Sequence, residues 1–258
     1  MTEKLFVDAH CHLDYPILAK DLDRVISRAK EAGVVKIITN GIDFKSNRLS
    51  LEYAKKYDIV EAALGIYPPK QLKQECKELG VKWKDFDVDE EIAWIKKQNP
   101  IAIGEIGMDF VGDVDKEGQE VIFRKMINLA KELGKYIIVH SRKAEREVID
   151  VIEDEKISKV IMHCFSGKKK LVERIKNNNW FVTIPTCVVR GEQYQSLART
   201  IDINHMLCET DAPFLSPFKD KQNEPSFVVE AYKKIAKIKG MTLEEVEKNI
   251  YMNYQQIF

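Results

Sequence analysis

Residues that commonly bind metal ions stand at, or just beyond, the ends of separate apolar runs in this chain of 258 residues. The set comprises four of the five histidines, one glutamate and one aspartate: His10, His12, Glu105, His140, His163 and Asp211. Each apolar run is short and rich in β-branched residues, which is typical of a buried strand. Imidazoles and carboxylates at several strand ends predict a metal site.

Two of the histidines belong to the same run. His10 and His12 lie two residues apart in Asp8-Ala9-His10-Cys11-His12. Side chains at positions i and i+2 of a strand point to the same face, so both imidazoles can reach one cation. The alternative is a pair of hydrogen-bonded histidines without a metal, and it leaves the ligands at the other strand ends unexplained.

Glu105 stands between two glycines, Gly104 and Gly107, which allow an unusual backbone and a close approach to a ligand. A carboxylate has two oxygens, so Glu105 can bridge two metal ions. An ordinary carboxylate that caps a helix is the alternative. His140 and His163 follow successive strands, and neighbouring strands lie about 5 Å apart, so these two imidazoles can serve one ion.

Asp211 follows the last apolar run. In a closed barrel the last strand lies beside the first, so Asp211 would come close to His10 and His12. A carboxylate in that place can bind a metal and accept a proton from water. The alternative is a turn before Pro213 that the aspartate side chain stabilises.

Eight apolar runs predict the strands that must position these residues, at 5–9, 35–39, 60–64, 101–103, 136–139, 160–162, 181–184 and 206–208. Helical patterns fall between and after them, at 21–32, 46–57, 89–97, 116–133, 142–155, 168–178, 190–201, 226–239 and 243–258. Strict alternation predicts a parallel sheet, and eight units predict a single TIM (β/α)8 barrel domain, residues 1–258, with an extra C-terminal helix. Residues 67–88 are polar and predict an excursion with one short helix on the catalytic face.

Composition limits the possible partners. Lys+Arg and Asp+Glu number 41 each, so the net charge is zero. This balance argues against binding of duplex nucleic acid by electrostatic attraction over the whole surface, although it allows a local basic rim around a pocket. We expect no signal peptide, because the segment before the first apolar run is short and that run is interrupted by Asp8, and no apolar stretch reaches membrane-spanning length. The five cysteines form no Cys-x-x-Cys pair. We expect a reduced cytoplasmic protein with no obligate protein partner.

Six short segments that include these ligands carry a family resemblance. They are Val-Asp-Ala-His-Cys-His-Leu-Asp at 7–14, Ile-Gly-Glu-Ile-Gly-Met-Asp at 103–109, Val-His-Ser-Arg at 139–142, His-Cys-Phe-Ser-Gly at 163–167, Glu-Thr-Asp-Ala-Pro at 209–213 and Asn-Glu-Pro at 223–225. In this order they resemble the TatD family of metal-dependent hydrolases, a branch of the amidohydrolase-like TIM barrels.

The resemblance implies a site for two divalent ions, zinc, magnesium or manganese. His10, His12 and Asp211 would hold one ion, His140 and His163 the other, and Glu105 would bridge them. The implied activity is that of a deoxyribonuclease, which removes nucleotides from the 3′ end of single-stranded DNA with a water activated by the two metals. Asp211 and Glu105 would be the catalytic residues.

The residues expected to contact the substrate depart from the family pattern at one point. The family usually shows Gly-x-His-Pro-His after the third strand, where this chain has Gly65-Ile66-Tyr67-Pro68-Pro69. We expect Tyr67 to donate a hydrogen bond to a phosphate oxygen, unless it only packs over the rim. Arg142 is expected to pair with a phosphate, or else to form a salt bridge on its own helix. Ser166 and Asn223 would complete the set of substrate contacts.

Two other functions remain open. The same fold can hydrolyse carboxylic esters or amides, as a D-aminoacyl-tRNA deacylase does. The chain can also be a non-enzymatic protein that binds metal or nucleic acid. Many amidohydrolases bridge their metals with a carbamylated lysine on the fourth strand. No lysine occurs in 101–107, where Glu105 takes that place, and this favours the TatD branch.

Overall fold

The eight apolar runs form parallel strands that lie side by side in sequence order. The computed structural model describes residues 4–78, 84–112 and 114–258. The strands are β1 (Phe6–Cys11), β2 (Val34–Gly41), β3 (Val60–Leu64), β4 (Ala102–Gly107), β5 (Ile137–His140), β6 (Val160–Met162), β7 (Phe181–Pro185) and β8 (Met206–Glu209). Every predicted strand overlaps an observed one.

The sheet closes on itself between β8 and β1. Cys11 and Ala212 form a parallel bridge beyond the end of β8. The His12 N–H donates to the Ala212 carbonyl at 2.7 Å, and the Asp211 N–H donates to the His10 carbonyl at 2.9 Å. The predicted eight-stranded parallel barrel is therefore confirmed, and its closing hydrogen bonds involve the backbone of three expected ligands, His10, His12 and Asp211.

Helices fill the connections between the strands. They are α1 (Pro16–Ala19), α2 (Leu22–Glu31), α3 (Phe44–Lys56), α4 (Pro69–Glu78), α5 (Val88–Gln98), α6 (Lys116–Leu133), α7 (Glu145–Asp154), α8 (Lys169–Asn177), α9 (Glu192–Thr200), α10 (Val228–Lys239) and α11 (Leu243–Ile257). Several bury an apolar face, as α2 does with Leu22, Val25, Ile26 and Ala29, whereas α3 buries the polar residues Ser46, Asn47 and Ser50. Within the described ranges, none of these helices is long and apolar enough to cross a membrane.

The connection after β3 contains the expected excursion. Its helix, α4, begins at Pro69, where the fixed φ of proline suits a first helical turn. Residues 79–83 of the excursion lie outside the described residues. The short helix α1 was not expected from the sequence, because four residues are too few to show a periodic pattern.

The last helix, α11, packs at the end of the barrel opposite to the expected site. Thr242 and Glu245 form the capping box that begins it. Glu247 accepts a hydrogen bond from the Leu5 N–H just before β1, and Asn253 donates to the Met206 carbonyl at the start of β8. The helix therefore stabilises the amino-terminal ends of the strands and leaves their carboxyl ends open.

Candidate metal centre

The six predicted ligands meet at the carboxyl ends of the strands. His10 lies near the end of β1, Glu105 lies in β4, and His140 is the last residue of β5. The other three stand one or two residues beyond a strand: His12, His163 and Asp211. Barrel enzymes build their active sites at this face. The parallel sheet thus gathers side chains that are up to two hundred residues apart in the chain.

One oxygen of Glu105 faces the ligands of β1. Its Oε2 lies 3.3 Å from Nε2 of His10 and 3.3 Å from Nε2 of His12. These two imidazole nitrogens are 3.3 Å apart, and they lie 3.7 and 3.6 Å from Oδ1 of Asp211. On this side of Glu105, three side chains therefore direct ligand atoms into one small volume: His10, His12 and Asp211.

The other oxygen of Glu105 faces the ligands of β5 and β6. Its Oε1 lies 2.7 Å from Nδ1 of His140 and 3.8 Å from Nε2 of His163. The His163 Nε2 is also 4.0 Å from Oδ1 of Asp211, so His163 lies between the two halves of the cluster. Its ring stacks on that of His10 with centroids 3.7 Å apart.

Three of the four imidazoles are oriented by a partner on their outer nitrogen. Nδ1 of His12 lies 3.1 Å from the Asn40 carbonyl, and Nδ1 of His163 lies 2.8 Å from Oε2 of Glu209. Nε2 of His140 lies 3.1 Å from Oδ2 of Asp109. An acceptor on the outer nitrogen keeps the proton there and leaves the inner nitrogen as a metal ligand.

The close packing of histidines and carboxylates shifts their pKa values. Burial alone would raise the pKa of Glu105, but hydrogen bonds from His10, His12 and His140 outweigh burial and hold this pKa well below its usual range. Burial likewise opposes ionised Asp109, and the hydrogen bond with His140 still lowers its pKa to about 2. Both carboxylates are therefore anionic at neutral pH, as metal ligands and their supports must be.

The pKa of His163 moves in the opposite direction. Burial would lower it, but the adjacent Glu209 carboxylate outweighs burial and raises the pKa to about 9. A proton on His163 therefore competes with a metal ion for the same imidazole across the neutral pH range.

Gly107 allows the backbone of β4 to approach His140. Its φ is +139°, and a Cβ at this position would lie 2.1 Å from the His140 carbonyl oxygen. A side chain cannot fit there, so the residue is glycine for steric reasons. Asp211 also has a positive φ, of 55°, which aspartate tolerates better than most residues.

A cavity of about 550 Å³ opens over the cluster. This volume is within the range of about 300–1,000 Å³ that small-molecule sites occupy. Three of the expected substrate-binding residues line it: Tyr67, Arg142 and Ser166. The Tyr67 hydroxyl and the Arg142 Nε both donate to Oδ2 of Asp109, at 2.5 and 2.6 Å. Arg142 thus forms a salt bridge with Asp109, which lies just beyond β4.

Asn223 lies behind the residues that line the cavity. Its side chain is fully buried. The amide donates to Oγ1 of Thr186 at 3.0 Å, to the Thr210 carbonyl at 2.7 Å and to the Phe214 carbonyl at 2.5 Å. The sequence offered a polar residue near the site, but only the folded loop shows that backbone groups use its hydrogen bonds.

Three supporting residues were not identified from the sequence. Glu209 stands two residues before Asp211, and the alternation of a strand would have predicted the same face for both. Asp109 is the last residue of the motif that contains Glu105. Its position in the sequence did not indicate that it would contact His140. The Asn40 carbonyl is a backbone group, which no side-chain pattern reveals.

The donor set fits divalent metal ions. Ligand atoms within 4.8 Å of one another form three groups: His10, His12 and Glu105; Glu105, His140 and His163; and His10, His163 and Asp211. Imidazoles with carboxylates suit zinc and manganese, and carboxylates also suit magnesium.

Comparison with known proteins agrees with this site. The chain matches the model of the TatD related DNase family over residues 7–258. It is 38% identical to an uncharacterized metal-dependent hydrolase of Methanocaldococcus jannaschii, an alignment that covers 100% of this chain and 98% of the relative. It is 32% identical to the human deoxyribonuclease TATDN3, with 98% of this chain and 94% of the relative covered.

A solved structure shares the whole barrel. The TatD homologue YjjV of Escherichia coli superposes with a TM-score of 0.87 and 25% sequence identity, covering 98% of this chain and 97% of the other. The family match, the curated relatives and the shared barrel agree with the histidine and carboxylate cluster. The chain therefore belongs to the TatD family of metal-dependent hydrolases.

Proposed function

We propose that the protein is a two-metal phosphodiesterase that removes nucleotides from the 3′ end of single-stranded DNA. The observation that carries the proposal is the position of Glu105, whose two oxygens face two different groups of ligands. A carboxylate placed in this way suits two ions at once. The name of the human relative, a deoxyribonuclease, supports DNA as the substrate.

The ligands divide into two sets around Glu105. His10, His12 and Asp211 would hold one ion, and His140 and His163 would hold the other. When bound, two such ions polarise a phosphoryl oxygen and lower the pKa of a water molecule. The family match favours catalysis over the alternative of a non-enzymatic binding protein.

Asp211 would accept the proton of the attacking water, and residues of the cavity wall would bind the phosphate. Asp211 is positioned to orient the attacking water and to accept its proton, because its Oδ1 faces both His10 and His12. Arg142 would hold the phosphate, and Tyr67 would help by turning its one hydroxyl proton from Asp109 to a phosphate oxygen. Nη2 of Arg142 lies 3.4 Å from the Tyr67 hydroxyl, so the guanidinium and the phenol stand side by side in the cavity wall.

A carboxylic ester or amide, such as a D-aminoacyl-tRNA, is the second candidate substrate. The observation that favours it is Tyr67, since the wall beside His140 carries a neutral phenol where the family pattern has an imidazole. Hydrolysis at carbon needs less positive charge around the reacting group than hydrolysis of a phosphodiester does.

The test uses protein stripped of metal by a chelator and reloaded in turn with Mg²⁺, Mn²⁺ or Zn²⁺. The substrate is a single-stranded oligonucleotide labelled at its 3′ end. We expect metal-dependent release of labelled mononucleotides, and loss of this activity in His140→Ala. His205→Ala is the matched control, because His205 lies in the turn before β8 and packs on Phe181, away from the cluster.

Two other outcomes would change the assignment. Cleavage in the middle of the oligonucleotide would replace the exonuclease with an endonuclease. Absence of cleavage in protein that has bound two ions, combined with hydrolysis of an aminoacyl ester, would support the second candidate.

A further inference from the structure

An aromatic ring stands exposed at the edge of the metal centre. Phe214 lies three residues after Asp211, and it lines the cavity while remaining 44% exposed. Its ring makes T-shaped contacts with Tyr15, with centroids 5.1 Å apart, and with the ligand His12, with centroids 6.4 Å apart. Phe214 and Tyr15 both line the cavity and together form what we call the aromatic wall.

The backbone holds the aromatic wall in a defined position relative to the ligands. The Phe214 N–H donates to the Asp211 carbonyl at 2.8 Å, which closes a tight turn directly after the ligand. The Phe214 carbonyl accepts a hydrogen bond from the buried Asn223 amide. The ring is thus connected to Asp211 through a short, hydrogen-bonded segment and not through a loose loop.

The two sides of the cavity differ in chemistry. Arg142 and Tyr67 provide a cation and a hydroxyl on the side of His140, whose ring lies 4.9 Å from that of Tyr67. Phe214 and Tyr15 provide aromatic surface on the side of His12. Activation of water does not require an exposed phenylalanine, and exposed apolar surface beside a polar site is a common mark of ligand binding. A nucleotide has an anionic phosphate and a flat aromatic base, which match the two sides.

We propose that the aromatic wall of Phe214 and Tyr15 binds a nucleobase next to the phosphodiester that is cleaved. The inference rests on the proposed function and adds the part of the substrate that this wall contacts. Every base has an aromatic face, so stacking on Phe214 gives affinity without a strong preference among the four bases. The enzyme therefore needs a base at this position, but not a particular base.

The test compares oligonucleotides that are identical except for one missing base. An abasic residue replaces either of the two nucleotides that flank the terminal phosphodiester. For wild-type protein we expect kcat/KM to fall by roughly 5- to 100-fold at one of these two positions, which is the range that base stacking contributes. In Phe214→Ala the normal and abasic substrates should be cleaved with similar kcat/KM, and the loss on the normal substrate should appear mainly in KM.

Two further variants separate a stacking role from a structural one. Phe214→Tyr keeps an aromatic face and should keep the preference for a base. Phe218→Ala removes a second exposed phenylalanine of the same loop, which packs on Phe227, and should leave the preference unchanged.

The failures of the two proposals can be told apart. Equal cleavage of normal and abasic substrates by wild-type protein overturns the aromatic wall alone. So does a Phe214→Ala variant that loses the same factor on both substrates, since that result means the ring only supports Asp211. If no oligonucleotide is cleaved with any metal, the proposed function fails, and the aromatic wall as a nucleobase site fails with it.

Discussion

The Tyr67 hydroxyl lies 2.5 Å from Oδ2 of Asp109, at the exact point where the chain departs from the usual family motif. The same oxygen accepts the hydrogen bond from Arg142 Nε and faces Nε2 of His140. One buried carboxylate therefore positions a phenol, a guanidinium and a metal-type ligand. Asp109 connects the residues that would hold substrate with those that would hold metal.

Tyr67→Phe removes the hydroxyl and keeps the ring that packs on His140. A hydrogen bond to a charged group contributes about 1.5–3 kcal/mol, so kcat/KM for a phosphodiester should fall by roughly 10- to 100-fold. Steady-state kinetics on the oligonucleotide measure the effect. Tyr57→Phe is the control, because its hydroxyl also donates to an aspartate, Asp23, but at the exposed surface. Equal losses in the two variants would argue against a role of the Tyr67 hydroxyl at the site.

Asp211→Asn keeps the size of the side chain and removes its basicity. Loss of a general base lowers kcat by about 10²- to 10⁴-fold, and we expect this variant to lose activity while binding much of its metal. Activity and bound metal should be measured on the same sample. Asp220→Asn, at an exposed position of the same loop, is the control. Full turnover by Asp211→Asn would remove Asp211 from the mechanism.

Glu209→Gln replaces the carboxylate that accepts the hydrogen bond of His163. Such outer partners commonly change metal affinity by about 10- to 100-fold. We expect weaker binding of Mn²⁺ by that order in calorimetric titration near pH 9, where a proton on His163 competes little with the metal in either protein. Glu244→Gln, which only breaks an exposed pair with Lys248, should bind Mn²⁺ as wild-type protein does. Unchanged affinity in Glu209→Gln would show that His163 does not need this support.

Metal affinity should depend on pH through His163 and, in the same direction, through His12 and His140, whose pKa values the surrounding carboxylates also raise against the effect of burial. The pKa of His163 is raised to about 9 in the metal-free protein, so below that pH a proton must leave before the imidazole can bind an ion. The apparent affinity for Mn²⁺ should therefore rise as the pH increases from 6 towards 9. In Glu209→Gln the pKa of His163 should be lower, and the affinity should rise less steeply with pH. The same pH profile in both proteins would contradict this role of Glu209.

Asn223→Ala should destabilise the fold and not only the site. The buried amide donates to two carbonyls and one hydroxyl, and a buried acceptor without a partner costs about 1–3 kcal/mol. Chemical denaturation should show a decrease of at least that order in the free energy of unfolding. Asn249→Ala, which removes an exposed amide on α11, should change it by a few tenths. A stable Asn223→Ala variant with impaired substrate binding would instead support the predicted role of Asn223 in binding substrate.

The sequence by itself determined the barrel and its metal-type ligands. Short apolar runs separated by helical patterns are local features, and burial on both faces makes each strand recognisable without knowledge of its neighbours. The spacing of His10 and His12 is also local, since alternation along one strand places both on one face. The order of the strands was therefore predictable, and with it the face of the barrel on which the ligands lie. The end of β4 was not, since that strand continues through Glu105 to Gly107.

Only the tertiary structure decided how these side chains divide and what supports them. The two oxygens of Glu105 face opposite halves of the cluster because its side chain lies between the ligands of β1 on one side and those of β5 and β6 on the other. Asp109 meets Tyr67 and Arg142 across 42 and 33 residues of chain. The Asn223 side chain points inward, where its amide donates to the Thr210 and Phe214 carbonyls of the loop after β8. Such contacts depend on distances between remote segments, and a local pattern contains no information about those distances.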